Sequence, residues 1–365
     1  MIKRLLRRMG NAVTAVALAA LVCAAVLALA IGAVALLGYP PIRVADLWLH
    51  GAAGNWYALS SSFADACPLL LTGLAAGVAF RAGVLNIGAQ GQFLIGGLVA
   101  VALSTRMIMF HQPVLVMAMA LTGGALAGGL WGLLAQYLEH YRSVPVVLST
   151  ILLNFVALYL AAAALQGPLR AVGTAAAQSP EIAGKYWLPL LVPYTDFHIG
   201  IILALATAVL LWIVQERTIF GFETRVLGLN AGTAKAMNMP VTWRQFQIMF
   251  ISGGCAGFGG AIQVLGQIHF MTPHMGNYGY AGIAVALLGR LNPLGIVLAA
   301  IFFGFLDTGA FRVEESSLAL PHDIANVVKA MVILVMLVLA GLSLRRSRRA
   351  KLPAAASAPG NGVSA

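Results

Sequence analysis

Pro145-Val-Val-Leu-Ser149-Thr-Ile-Leu-Leu-Asn154-Phe-Val-Ala-Leu-Tyr159-Leu-Ala-Ala-Ala-Ala-Leu165 holds no charged side chain from end to end. A helix of about 20 such residues matches the hydrocarbon thickness of a bilayer, so the run reads as a transmembrane span. The same reading places further spans near 12–37, 62–80, 86–104, 113–136, 198–214, 247–268, 279–289, 294–310 and 323–342. The turn Arg290-Leu291-Asn292-Pro293 divides a stretch too long for one crossing into two short ones. The expected fold is all-α, a polytopic bundle of about 10 spans.

Composition agrees. The chain is 61% hydrophobic and 9% charged, with a mean hydropathy of +0.91. A soluble chain carries about a quarter of its residues charged, so this surface is expected to face membrane lipid. Forty glycines suit helices that pack closely where lipid gives no hydrophobic drive to associate. Cys23, Cys67 and Cys255 lie scattered in apolar segments without metal-ligand spacing, and read as small buried side chains.

The net charge of +11 is topogenic. Lys3, Arg4, Arg7 and Arg8 precede the first span, and Arg345, Arg346, Arg348, Arg349 and Lys351 follow the last. No segment offers the basic face with stacking aromatics that a nucleic-acid site needs. With both ends cytoplasmic, the inside also gathers Arg81, Arg142, Arg217, Arg225, Lys235, Arg244 and Arg290. The outside keeps Arg43, Arg106, Arg170, Lys185 and Arg312, with Lys329 inside the last span. This divides the chain into a basic cytoplasmic N-terminus (1–11), a transmembrane domain (12–342) and a basic, disordered cytoplasmic tail (343–365). The first apolar run is too long for a signal peptide and reads as a retained span. Residues 38–61, with Trp48, Trp56 and Tyr57, read as an external interfacial segment; 166–197 is a long external connection. Residues 215–246 form an internal loop, expected to hold one short helix, 223–238.

Four motifs interrupt the apolar background. Arg81-Ala-Gly-Val-Leu-Asn86-Ile-Gly-Ala-Gln90-Gly-Gln92 sets amides where hydrocarbon would penalise them. They either hold a bend through interhelical hydrogen bonds or line a path for a polar solute. In 149–159, Asn154 lies mid-span with Phe155 and Tyr159 on one helical face; they read either as an interhelical hydrogen bond with packing aromatics or as a second stretch of that path. The loop Phe222 to Pro240 presents small residues on the cytoplasmic face, as a docking surface or as an ordinary interfacial helix. In Gly276 to Gly295, Gly279, Gly282, Gly289 and Pro293 mark helix breaks and close packing, the pattern of discontinuous helices. The glycine-rich 83–97 region occupies a comparable place in the first half and hints at an internal repeat. Asp65 and Asp307 are expected toward outer ends of spans, Asp307 within reach of Lys329. No Walker-type loop, paired carboxylates, nucleophile or metal-ligand set appears, so no catalytic role is expected.

With Ser252-Gly-Gly-Cys-Ala-Gly-Phe-Gly-Gly-Ala261, these motifs resemble the permease subunit of bacterial ABC importers for nucleosides and simple sugars, the branched-chain amino acid/ribose-type permease family. The runs LNIGAQGQ and GIAVALLGRLNPLG are similar to its nucleoside branch, and the resemblance covers roughly residues 60–340. It implies import of nucleosides or related neutral solutes by alternating access across the bacterial inner membrane, with ATP used by a separate ATPase subunit and no cofactor on this chain. It also implies a second, homologous permease subunit in a heterodimer and an extracytoplasmic solute-binding protein. The 223–238 stretch would be the coupling helix, carrying Glu223, Arg225, Gly228, Asn230, Ala234, Lys235 and Asn238. This chain departs from the family pattern at Lys235, usually Ala, and Asn238, usually Gly. A simple-sugar permease of ribose or galactose type is the near alternative. An ion-coupled transporter or channel is the distant one, and it would call for acidic residues at mid-span.

Overall fold

The computed structural model describes residues 40–107, 112–174 and 176–315, besides a few isolated positions. The expected spans 12–37 and 323–342, Cys23, Lys329 and both terminal basic clusters lie outside the described residues. The chain divides into two compact units, 1–44 with 321–365 and 45–320; apart from the first residues of the first helix, the second carries the architecture that follows.

In order, the helices are α1 (Pro41–Ala53), α2 (Trp56–Arg81), α3 (Ala89–Arg106), α4 (Pro113–Arg142), α5 (Val146–Gln166), α6 (Gly200–Arg217), α7 (Ile219–Leu229), α8 (Ala231–Ala236), α9 (Val241–Gln263), α10 (Tyr278–Leu288) and α11 (Pro293–Glu314). Among the described residues the only strand-like feature is a bridge between Leu190 and His198. Six helices are long and apolar enough to cross a membrane: α2, α4, α5, α6, α9 with its extension to Ile268, and α11. The expected spans at 86–104 and 279–289 are helical too, as α3 and α10, but stand outside that six.

Burial separates core from periphery. The apolar windows of α2 and α9 are 83% and 78% buried, whereas that of α4 is 28%. The outer helices therefore present apolar side chains outward, as lipid contact requires. At the centre, Gly253 and Gly257 of α9 lie against Gly124 and Gly128 of α4, and Gly257 also meets Gly96 of α3. A Cβ at Gly257 would overlap the α4 backbone and one at Gly96 would overlap Gly257, so the seam exists only because these positions lack side chains.

The breaks follow local chemistry. Arg290 and Leu291 take left-handed φ of 56° and 57°, and the Asn292 side chain accepts from Leu294 N–H at 3.0 Å, opening α11 at Pro293. The expected turn at 290–293 is where the chain reverses. The internal loop departs from expectation: 223–238 is not one helix but α7 followed by α8. Asn230 is extended (φ −163°) and its side chain accepts from Gly232 and Thr233 N–H at 2.8 and 3.1 Å. An Asn that satisfies the first amides of a new helix ends the old one. α9 also starts earlier than expected, at Val241, its first turns carrying Arg244 and two glutamines. Residues 38–61 fold as α1 and the start of α2, with Trp48 buried against Gly309 and Trp56 and Tyr57 exposed.

Beyond Gln263, α9 widens into a π-turn, Val264–Ile268, and stops at His269 (φ 64°). The connection between α5 and α6 lies along this turn. Ile182 and Leu188 N–H donate to the His269 and Leu265 carbonyls at 2.8 and 2.9 Å, and Trp187 stacks on His269 at 3.7 Å.

Candidate functional site

α3 and α10 begin inside the bundle, and this decides what the buried amides do. The first amides of a helix have no partner within it, and hydrocarbon supplies no water to replace one. Here side chains from neighbouring segments fill the gap. Gly91 N–H, in the first turn of α3, donates to Asn154 Oδ1 of α5 at 2.8 Å. Asn154 Nδ2 donates in turn to the Ile87 carbonyl at 3.0 Å and the Tyr280 hydroxyl at 3.3 Å. Gly279 N–H, in the first turn of α10, donates to Gln90 Oε1 at 2.8 Å, while Gln90 Nε2 donates to the Gly276 carbonyl at 2.7 Å.

Asn86 ties the same segment to the core. Its Oδ1 accepts from Gly88 N–H at 2.8 Å, and its Nδ2 donates to Gln92 Oε1 at 3.0 Å and Ser252 Oγ at 2.8 Å. Ser252 passes its own hydrogen to the Ala75 carbonyl at 2.7 Å. The structure thus brings Asn86, Gln90, Gln92 and Asn154 into one buried network spanning α2, α3, α5, α9 and α10. Phe155 and Tyr159 do not join it; they are 52% and 71% exposed on α5. Gly279 lies against the Gln90 backbone and Gly282 against Thr72, while Gly289 lets α10 approach the start of α11 at Pro293.

A second assembly occupies the end of the bundle where α2 stops. Arg81 donates to Gln215 Oε1 at 2.7 Å and pairs with Glu216. Arg225 of α7 donates to the Gln215 carbonyl at 2.5 Å and pairs with Glu216 at 3.2 Å. Arg244 of α9 pairs with Glu223. Gly228 sits against the Arg81 carbonyl, closer than any side chain would allow. These contacts fasten α7 to the ends of α2, α6 and α9, and a cleft of about 350 Å³ opens beside them between Arg81, Arg225 and Arg290. Ala234 packs inward, whereas Asn230, Lys235 and Asn238 are exposed and Leu229 is 87% exposed.

Two features were not read as sites from the sequence. Asp65, nine residues along α2 or about 13 Å from its start, accepts from Gln267 Nε2 at 2.8 Å and Thr308 Oγ1 at 2.7 Å. Its isolation in an apolar run was visible, but its partners lie far away in sequence. The other is His198, buried before α6, whose Nδ1 accepts from Gly200 N–H at 3.1 Å. Burial, reinforced by His269 and opposed by Asp196, pushes its pKa down to about 4. His269 is also shifted down, chiefly by burial. Among the described residues no group of His, Cys, Asp and Glu is placed to hold a metal ion.

Long apolar helices, glycine seams and internally capped helix starts define a multi-pass membrane protein. The chain belongs to the family described as branched-chain amino acid transport system / permease component, which matches residues 58–340. It is 33% identical over 318 residues to the guanosine ABC transporter permease protein NupP of Bacillus subtilis, covering 85% of this chain and 90% of the relative. A glucose ABC transporter permease protein of Haloferax volcanii is 29% identical (84% and 83% covered). A further B. subtilis guanosine permease, NupQ, is 28% identical (75% and 88% covered). No solved structure matches the chain.

Proposed function

We propose that the chain is the transmembrane permease subunit of an ATP-driven importer that moves nucleosides or related neutral solutes by alternating access. The observation that carries the mechanism is the fastening of α7 to α2 through Gly228, Arg81, Glu216 and Arg225. A push on the exposed α7–α8 surface would pass into the core helix rather than dissipate in a loose loop. In this reading that surface receives a separate ATPase subunit, which uses the ATP; this chain binds no cofactor. Two guanosine permeases in one organism support a second, homologous permease subunit. A solute-binding protein would deliver substrate on the far side of the cytoplasmic membrane.

The same reading has about ten crossings with both ends cytoplasmic. It includes a two-fold repeat, supported by α3 and α10, each of which starts inside the bundle and meets the other through Gln90. The candidate pathway runs by Asn86, Gln90, Gln92 and Asn154, and its lack of charge suits a neutral solute. The glucose-permease relative favours a simple sugar as the second reading.

Leu229 and Lys235 are exposed, so replacing them leaves the fold intact. Recovery of the ATPase with a tagged Leu229→Ser/Lys235→Glu chain is expected to fall at least tenfold. Undiminished recovery would rule out docking at this surface.

A further inference from the structure

A carboxylate inside a membrane helix is costly, and Asp65 is offset by no cation: among the described residues none pairs with it. Neutral hydrogen-bonding groups from two elements hold it instead, with the carboxylates of Asp307 and Asp196 near enough to repel it. Gln267 from the π-turn and Thr308 from α11 each donate to one carboxylate oxygen, at 2.8 and 2.7 Å. Behind them Gln263 donates to Gln267 Oε1 at 2.8 Å, fixing which end of that amide faces Asp65. Four residues before Asp65 on α2, Ser61 donates to Asp196 of the α5–α6 connection at 2.6 Å.

The π-turn is what makes the arrangement. By widening the end of α9 it sets Gln267 opposite α2, and such turns recur where proteins aim a side chain for use. Burial is graded across the group: Thr308 and Gln263 are buried, while Asp65 and Gln267 are only part-buried. An ionised carboxylate is purely an acceptor, with about four lone-pair sites. The protein fills two of them, one on each oxygen.

We infer that Asp65, held by Gln267 and Thr308, is a binding subsite for adjacent hydroxyl groups of a neutral solute, such as the 2′,3′-diol of a ribonucleoside. A cis-diol offers two donors at the spacing of the two carboxylate oxygens, and takes the acceptor sites the protein leaves open. Gln267 and Thr308 keep the carboxylate oriented while the site is empty. The inference rests on the permease reading and narrows its substrate class to solutes that carry a vicinal diol.

The test uses the complete importer, permeases with ATPase and solute-binding protein, in proteoliposomes. Uptake of labelled guanosine and of labelled 2′,3′-dideoxyguanosine is measured for the wild type and for Asp65→Asn. Delivery by the binding protein is common to both, so the variant-to-wild-type ratio for each solute isolates the step at Asp65. Guanosine uptake should fall about tenfold or more, the worth of a hydrogen bond to a charged group, with dideoxyguanosine uptake unchanged. Equal loss for both solutes would assign Asp65 a structural role and overturn the inference, as would no loss for either. Gln267→Leu, which leaves the carboxylate but frees its orientation, should show the same selective loss in weaker form. If the wild type carries no guanosine, the nucleoside reading fails by itself. The subsite is then tested with glucose against 2-deoxyglucose, and equal loss again overturns it.

Discussion

Replacing Asn154 by Leu keeps the branched shape and heavy-atom count of the side chain and removes every hydrogen bond that side chain makes. In the structure Asn154 is 3% exposed, accepts from Gly91 N–H and donates to the Ile87 carbonyl and the Tyr280 hydroxyl. The bond to the tyrosine is long, at 3.3 Å, so its loss costs little. Gly91 N–H is different, because it belongs to the first turn of α3 and has no carbonyl within its helix to turn to. Leaving a buried donor unmet costs about 1–3 kcal/mol, and losing the Ile87 contact adds about 1 kcal/mol. The expected destabilisation is therefore about 2–4 kcal/mol. Side-chain bonds between membrane helices average only about 0.6 kcal/mol, since their partners usually pair elsewhere when one is removed. Reversible unfolding of the purified complex in mixed micelles, wild type against Asn154→Leu, separates the two cases. A loss of 0.6 kcal/mol or less, with Asn154→Asp no better than Leu, would refute the claim that Asn154 caps α3 from a neighbouring helix.

Other outcomes follow from the same geometry. At Gly257, Gly257→Leu should prevent α4 and α9 from closing, read as loss of monodisperse protein on size exclusion, whereas Gly254→Ala, whose Cβ would meet the Ala125 carbonyl at an ordinary 3.5 Å, should be tolerated. His198 titrates near 4 in the folded chain against about 6.5 unfolded, so the unfolded chain binds more protons between those values. Its contribution is complete above pH 6.5 and is lost as the pH falls through about 4. That amounts to about 3 kcal/mol, and His198→Gln should flatten the acid side of a thermal-stability profile.

The six long spans were legible because hydrocarbon demands a run of apolar residues, and nothing else in a sequence looks like α5 or α11. The reversal at Arg290 to Pro293 was equally plain, since proline and asparagine open a helix by known chemistry. The split of α7 from α8 was not: Asn230 reads as one polar residue among several until its side chain is seen capping the next turn. The polar motif at 86–92 announced itself, but not what it does. The function of Asn154 depends on α3 starting inside the bundle, and that start is set by packing rather than by residues 86–92 alone. Asp65 was hardest to read, because Gln267 reaches it only through a π-turn that leaves no mark in the hydropathy.

In the proposed mechanism this chain moves solute on energy received from elsewhere. Uptake of labelled guanosine into proteoliposomes holding the permease, its ATPase and the binding protein tests it most directly, with and without ATP on the α7–α8 side. Uptake should require ATP and vanish when the ATPase is omitted. Concentrative uptake without ATP, or by the permease alone, would contradict it.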